Sequence, residues 1–160
     1  MSRDHQWDPA VVETIARELK AEPGALMPIL RQVQDRLGWV PREAVPLIAN
    51  ILNLSRAGVH GVVSFYHDFR HEPPGRHVVR VCRAESCQAM GAVALAEHIK
   101  RRLGIDFGQT SPDGEFTLEP VYCLGNCACS PAVTVDEQLL GRVTPARFNS
   151  VLARRDETGR

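Results

Sequence analysis

The first 72 residues carry apolar positions at helical spacing throughout, and beyond them strand and helix patterns alternate. In "DPAVVETIARELK", Val11, Val12, Ile15 and Leu19 recur three and four apart, behind Asp8 as a cap and Pro9 at the first helical position. "PGALMPILRQVQDRLG" puts Leu26, Ile29, Leu30, Val33 and Leu37 on one face and stops at Gly38. "PREAVPLIANILN" predicts a third helix from Pro41 through Val45, Ile48 and Leu52, and "SRAGVHGVVSFY" a shorter fourth opened by Ser55. Pro28 and Pro46 fall inside two of these segments, so each either kinks its helix or marks a later start. Four short amphipathic helices cannot each bury a face alone, and a small bundle is expected.

After "HEPPG", which reads as a linker, the period changes. "HVVRVC" is a β-branched strand, and "GAVALAEHIKRRLG" a helix ending in basic residues and Gly104. "SPDGEFTLEPVYC" predicts a turn at Asp113-Gly114 with a strand behind it. "PAVTVDEQLLGRV" gives two short strands around Asp136 and Glu137, and Thr144-Pro145 opens a last helix, "PARFNSVLARR". The tail "DETGR" is expected to be loose. The fold class is therefore α+β: a helical bundle over 1–72 with a docking role, then a small α/β domain over 73–160.

Phe65 and Tyr66 end an apolar run and are assigned to the core; Trp39 and Val40 are expected to pack the turn after the second helix. His67 and His71 stand four apart, as on a helix, but partner contact or a solvated loop is the reading preferred to metal.

Charge and composition remove several functions. The 19 basic residues balance 19 acidic ones, with no basic stripe for nucleic acid. The longest run without a polar side chain, "AMGAVALA", is far short of the ~20 residues of a membrane span. "MSRDHQWDPA" has no apolar signal region, so a cytoplasmic setting with reduced thiols is expected. There is no G-x-G-x-x-G behind a strand and no Walker loop, which argues against a dinucleotide site in this chain.

What remains is the thiols. Of five cysteines, an awkward number for a disulfide framework, Cys82 and Cys87 are spaced C-x4-C and Cys123 and Cys127 C-x3-C. Four thiolates can complete a tetrahedral zinc site or a two-iron cluster, and both spacings are open to zinc. The small residues Ala84, Ser86, Ala89, Gly91, Gly125 and Ala128 favour a cluster, because they let backbone amides approach sulfur. A redox dithiol would need two intervening residues, and no obvious base stands ready to make a catalytic nucleophile.

"GVVSFYHDF", "VCRAESCQAMGA" and "CLGNCACSPAVTV" resemble the thioredoxin-like [2Fe-2S] ferredoxin family, that of the 24-kilodalton subunit of respiratory NADH dehydrogenase, over nearly the whole chain. "FYHDFR" and "CRAESCQAMG" look like the gamma subunits of soluble NAD-dependent formate dehydrogenases. The resemblance implies a thioredoxin-like second domain and a [2Fe-2S] cluster on Cys82, Cys87, Cys123 and Cys127. It implies no catalysis by the chain alone. FMN and NAD are expected in a flavin- and NADH-binding partner, and a molybdenum cofactor in a formate-oxidising partner. Cys129 departs from the family pattern and is expected to be a spare, packed thiol. The rival readings are the same role in a respiratory or hydrogenase-linked NADH dehydrogenase, and a zinc-stabilised interaction module.

Overall fold

A computed structural model describes residues 7–158. The chain divides into two compact units, Met1–Pro73 and Pro74–Arg160.

The first unit holds helices α1 (Pro9–Leu19), α2 (Leu26–Leu37), α3 (Ala44–Leu52) and α4 (Arg56–Phe65). Asp8 caps α1 by accepting from the Ala10 amide at 2.9 Å, and Ser55 caps α4 by accepting from the Gly58 amide at 2.9 Å. α3 begins at Ala44, three residues after Pro41, so Pro46 falls in its first turn as Pro28 does in α2. A first-turn N–H has no helical acceptor, so neither proline breaks a bond and neither helix has to kink. Val12, Ile29, Leu30, Val33, Ile48, Val59 and Val63 close one core. Val40 is buried with them and Trp39 only partly.

Phe65 and Tyr66 correct the sequence reading. Phe65 is 73% exposed and Tyr66 44%, and it is Phe69 that enters the core. The reason is the helix period: Val59 and Val63 face inward four residues apart, which turns Phe65 outward. His67 and His71 lie beyond the end of α4, in irregular chain rather than on a helix.

The second unit is a five-stranded mixed sheet, ordered β2-β3-β1-β4-β5, with β1 (His77–Cys82), β2 (Gln109–Thr110), β3 (Phe116–Val121), β4 (Val133–Val135) and β5 (Gln138–Leu140). β1 and β3 pair in parallel from His77↔Phe116 to Cys82↔Val121; the other pairings are antiparallel. Val79, Val81, Leu118, Val133 and Val135 share a core with Leu95 and Ile99 of α6 (Ala92–Leu103) and Phe148, Val151 and Leu152 of α7 (Pro145–Thr158). Gly75 must be glycine: a Cβ there would meet the Phe116 backbone at 2.9 Å.

Two elements exceed the sequence reading, the edge strand β2 and the five-residue helix α5 (Glu85–Ala89). The tail is a third difference, since α7 continues through Asp156 to Thr158 instead of fraying at "DETGR"; Gly159 and Arg160 lie outside the described residues. Among the described residues no helix is long and apolar enough to cross a membrane.

Candidate metal centre

The sheet register places the four expected ligands at one end of the sheet, as two pairs. Parallel neighbours β1 and β3 leave the sheet at the same end, and antiparallel β4 enters there. Cys82 is the last residue of β1, and Cys123 lies two residues beyond β3. The turns are tied by backbone bonds: the Arg83 amide donates to the Val121 carbonyl at 2.7 Å, and the Cys82 amide to the Ala132 carbonyl at 3.1 Å. Cys87 sits on α5, whose single turn folds the chain back over Cys82. Cys127 opens a 3-10 turn, Cys127–Cys129.

The thiols form two unlike pairs. Cys82 and Cys87, each 1% exposed, pack with Ala92 and Ala132 in a small apolar cluster. Burial pushes the Cys82 thiol up despite the Ala84 and Leu124 amides that favour its thiolate. Burial opposes the Cys87 thiolate too, but the Ser130 hydroxyl, the Ala132 amide and the Cys82 thiol outweigh it, and its pKa lies below the ordinary value. One buried pair thus holds a thiol inclined to ionise beside one inclined to keep its proton.

Cys123 and Cys127 are exposed. Their sulfurs are 3.9 Å apart, close to the ~3.8 Å between two sulfurs on one tetrahedral metal with bonds of about 2.3 Å. The Gly125 amide points at Cys123 Sγ from 3.3 Å. Cys123 beside it raises the Cys127 pKa, and the charges of Cys87 and Cys82 add to the effect. Electrostatic repulsion among crowded sulfurs is what a bound cation relieves.

Among the described residues no three His, Cys, Asp or Glu side chains gather around one point as ligands of a single ion. A two-iron cluster asks two thiolates of each iron and fills the remaining positions with sulfide, and two cysteine pairs offer such a donor set. The donor set therefore fits a [2Fe-2S] group.

Cys129 stands apart. It is partly buried, its carbonyl accepts from the Arg142 amide at 2.6 Å, and its Cβ lies in the space that a side chain at Gly141 would need. A Cβ at Gly141 would lie 2.7 Å from Cys129 Cβ and 2.8 Å from Asn126 Nδ2. Gly141 holds the second cysteine loop in place by being small, and nothing in "LLGRV" announces it. Ser130 was missed as well: 7% exposed, its hydroxyl reaches Cys87 Sγ at 3.4 Å, and only the neighbouring cysteines could have drawn attention to it.

A two-layer sheet and helix unit with four thiols at one end of two parallel strands defines an iron–sulfur carrier of thioredoxin-like build. A family model described as thioredoxin-like [2Fe-2S] ferredoxin matches residues 12–156, and the chain belongs to this family, which carries a [2Fe-2S] cluster. Over 116 residues, 72% of this chain and 70% of the relative, it is 43% identical to one of the subunits of the NADH-quinone oxidoreductase of Pseudomonas aeruginosa. Over 135 residues, 84% of this chain and 79% of the relative, it is 36% identical to the HndA subunit of the NADP-reducing hydrogenase of Solidesulfovibrio fructosivorans. Its fold is similar to part of an NAD+-reducing [NiFe]-hydrogenase crystal structure in the air-oxidized state, with a TM-score of 0.70 at 22% identity. That match covers 83% of this chain and spans only 23% of the other, and the likeness is one of fold.

Proposed function

We propose that this chain is an electron-transfer subunit of an NAD-linked oxidoreductase complex, holding one [2Fe-2S] cluster on Cys82, Cys87, Cys123 and Cys127. The observation that carries the reading is the pairing of thiols at the shared end of β1 and β3: one pair buried, the other exposed with sulfurs 3.9 Å apart. When bound, the cluster supplies one-electron chemistry. The chain's own residues do the rest. Cys82 and Cys87 anchor one side in a water-poor cluster of small apolar residues. Cys123 and Cys127 hold the other side at the surface, where an electron has the shortest way out of the protein. Catalysis belongs to partners: a subunit that binds flavin and NADH exchanges electrons with this face.

For the parent enzyme we favour a soluble, cytoplasmic NAD-dependent formate dehydrogenase with a molybdenum-containing subunit. "FYHDFR" and "CRAESCQAMG" support it. The similarity to respiratory and hydrogenase subunits supports the same role in a different parent equally well. A zinc module is the outcome to be excluded. Purification of the full chain should give a brown protein that bleaches with dithionite and carries two irons and two sulfides. A colourless zinc protein would overturn the reading. Co-purifying subunits decide the parent: a molybdenum subunit supports formate oxidation, and a nickel–iron or quinone-linked assembly replaces it.

A further inference from the structure

The geometry points to Ser130 as a potential-setting residue: its hydroxyl donates a hydrogen bond to the Cys87 sulfur when that sulfur is a metal-bound thiolate, and Ser86 makes this possible. The inference rests on the reading of Cys87 as a cluster ligand.

Ser130 is buried at the mouth of β4, and its Oγ has three neighbours. Cys87 Sγ is at 3.4 Å, Ser86 Oγ at 2.9 Å, and the Cys127 carbonyl oxygen at 2.9 Å. Ser86 Oγ lies 3.3 Å from the same carbonyl. Two hydroxyls thus stand between the two cysteine loops, and they bring two protons.

A count of those protons separates two states. With Cys87 a thiol, its S–H can donate to Ser130 Oγ, which donates onward to the Cys127 carbonyl. With Cys87 a thiolate, the sulfur has no proton to give and can only accept. The Ser130 proton then turns to the sulfur, and the Ser86 hydroxyl takes over the carbonyl. Every polar atom keeps a partner in both states, so the turn leaves no buried group unsatisfied. An anionic acceptor strengthens the new bond, and burial of Cys87 and Ser130 strengthens it further.

Hydrogen bonds to sulfur are one of the levers on the potential of an iron–sulfur cluster. A donor is attracted more strongly as negative charge builds on the sulfur, so it favours the reduced state. Removing it should lower the potential. Neither serine need touch a partner for this, which separates the role from docking.

The test uses the full chain with its cluster, titrated by spectroelectrochemistry. If the wild-type protein holds no [2Fe-2S] cluster, the functional reading fails, and this one with it. If it does, Ser130→Ala should lower the electron affinity about three- to tenfold, at 59 mV per tenfold for a one-electron couple. Ser130→Thr keeps the hydroxyl and should restore the wild-type midpoint. Iron–sulfur stretching bands should shift on exchange into D2O in the wild type and shift less in Ser130→Ala. Should Ser130→Ala fail to load, Ser86→Ala serves instead: the carbonyl then competes for the Ser130 proton and the midpoint falls by a smaller factor. An unchanged midpoint in a loaded Ser130→Ala, or in Ser86→Ala where the first does not load, overturns the proposal.

Discussion

The choice between Cys127 and Cys129 turns on which sulfur can face Cys123. The 3-10 turn that Cys127 opens carries it back to 3.9 Å from Cys123, while Cys129, two residues on, is held by the Arg142 amide and by its contact with Gly141. Cys129→Ser is therefore expected to keep the visible spectrum and iron content. Cys127→Ser should lose most of both, or shift the signal if the new oxygen or Cys129 substitutes. Iron lost from the first variant and retained in the second would reverse the assignment. The cysteine spacing was legible in the sequence because ligands on tight turns are close in number as well as in space. Ser130 and Gly141 were not. Ser130 reaches Cys87 across 43 residues, and Gly141 fits against Cys129 only after β5 has folded back on β4. No local pattern records contacts of that kind.

Among the elements, the helices were legible where the apolar period runs for two turns or more, as in α1, α2 and α6. α5 has five residues and β2 two, too short for any period to appear. α4 is legible in the sequence but not the facing of its end, because "GVVSFY" is apolar but for Ser64 and hides which residues face out. The buried pair Val59 and Val63 decides it. Val63→Ala should cost about 2 kcal/mol of stability, whereas Phe65→Ser should change it by less than about 0.5 kcal/mol in chemical denaturation. A large loss from Phe65→Ser would return that ring to the core. At the end of α6, Lys100 reaches Glu97 at 3.1 Å and Asp106 at 3.0 Å and lies 4.8 Å from the Phe107 ring centroid. The Lys100 hydrogen bond holds the Asp106 carboxyl below the usual range, and that same bond raises Lys100. A lowered carboxyl stabilises above its unfolded value of about 3.9 and loses that contribution as pH falls through its folded one. The raised amine contributes below about 10.4 and loses it as pH rises through its own folded value. The Tm difference between wild type and Asp106→Asn should be largest between these limits, close at both extremes, and shrink in salt. A difference that persists unchanged at the lowest pH would show that Asp106 acts through its backbone neighbours instead.

At the scale of the whole chain, the division of labour follows from where the cores are. Residues 74–160 have their own apolar centre, from Val79 and Val81 through Ile99 and Leu118 to Phe148 and Leu152, and all four proposed ligands. Residues 1–73 have a separate core and none of the five cysteines. A unit with its own core can fold alone, although below about 90 residues it buries a smaller share of its surface and has little stability to spare. The first unit instead leaves Phe65, Tyr66 and Leu54 exposed, large apolar side chains that lie outside its buried core, although Tyr66 still meets the core ring of Phe69 edge-on. Exposed aromatics of this size are what protein interfaces use as anchors. A fragment beginning at Pro74 is thus expected to fold cooperatively, with a lower Tm than the full chain, and to take up iron and sulfide to the same visible spectrum. It should fail to capture the flavin subunit, and Phe65→Ser with Tyr66→Ser in the full chain should weaken that capture while leaving the spectrum intact. A fragment that assembles with the flavin subunit as tightly as the full chain would place docking in the cluster-bearing unit, and the N-terminal helices would need another purpose.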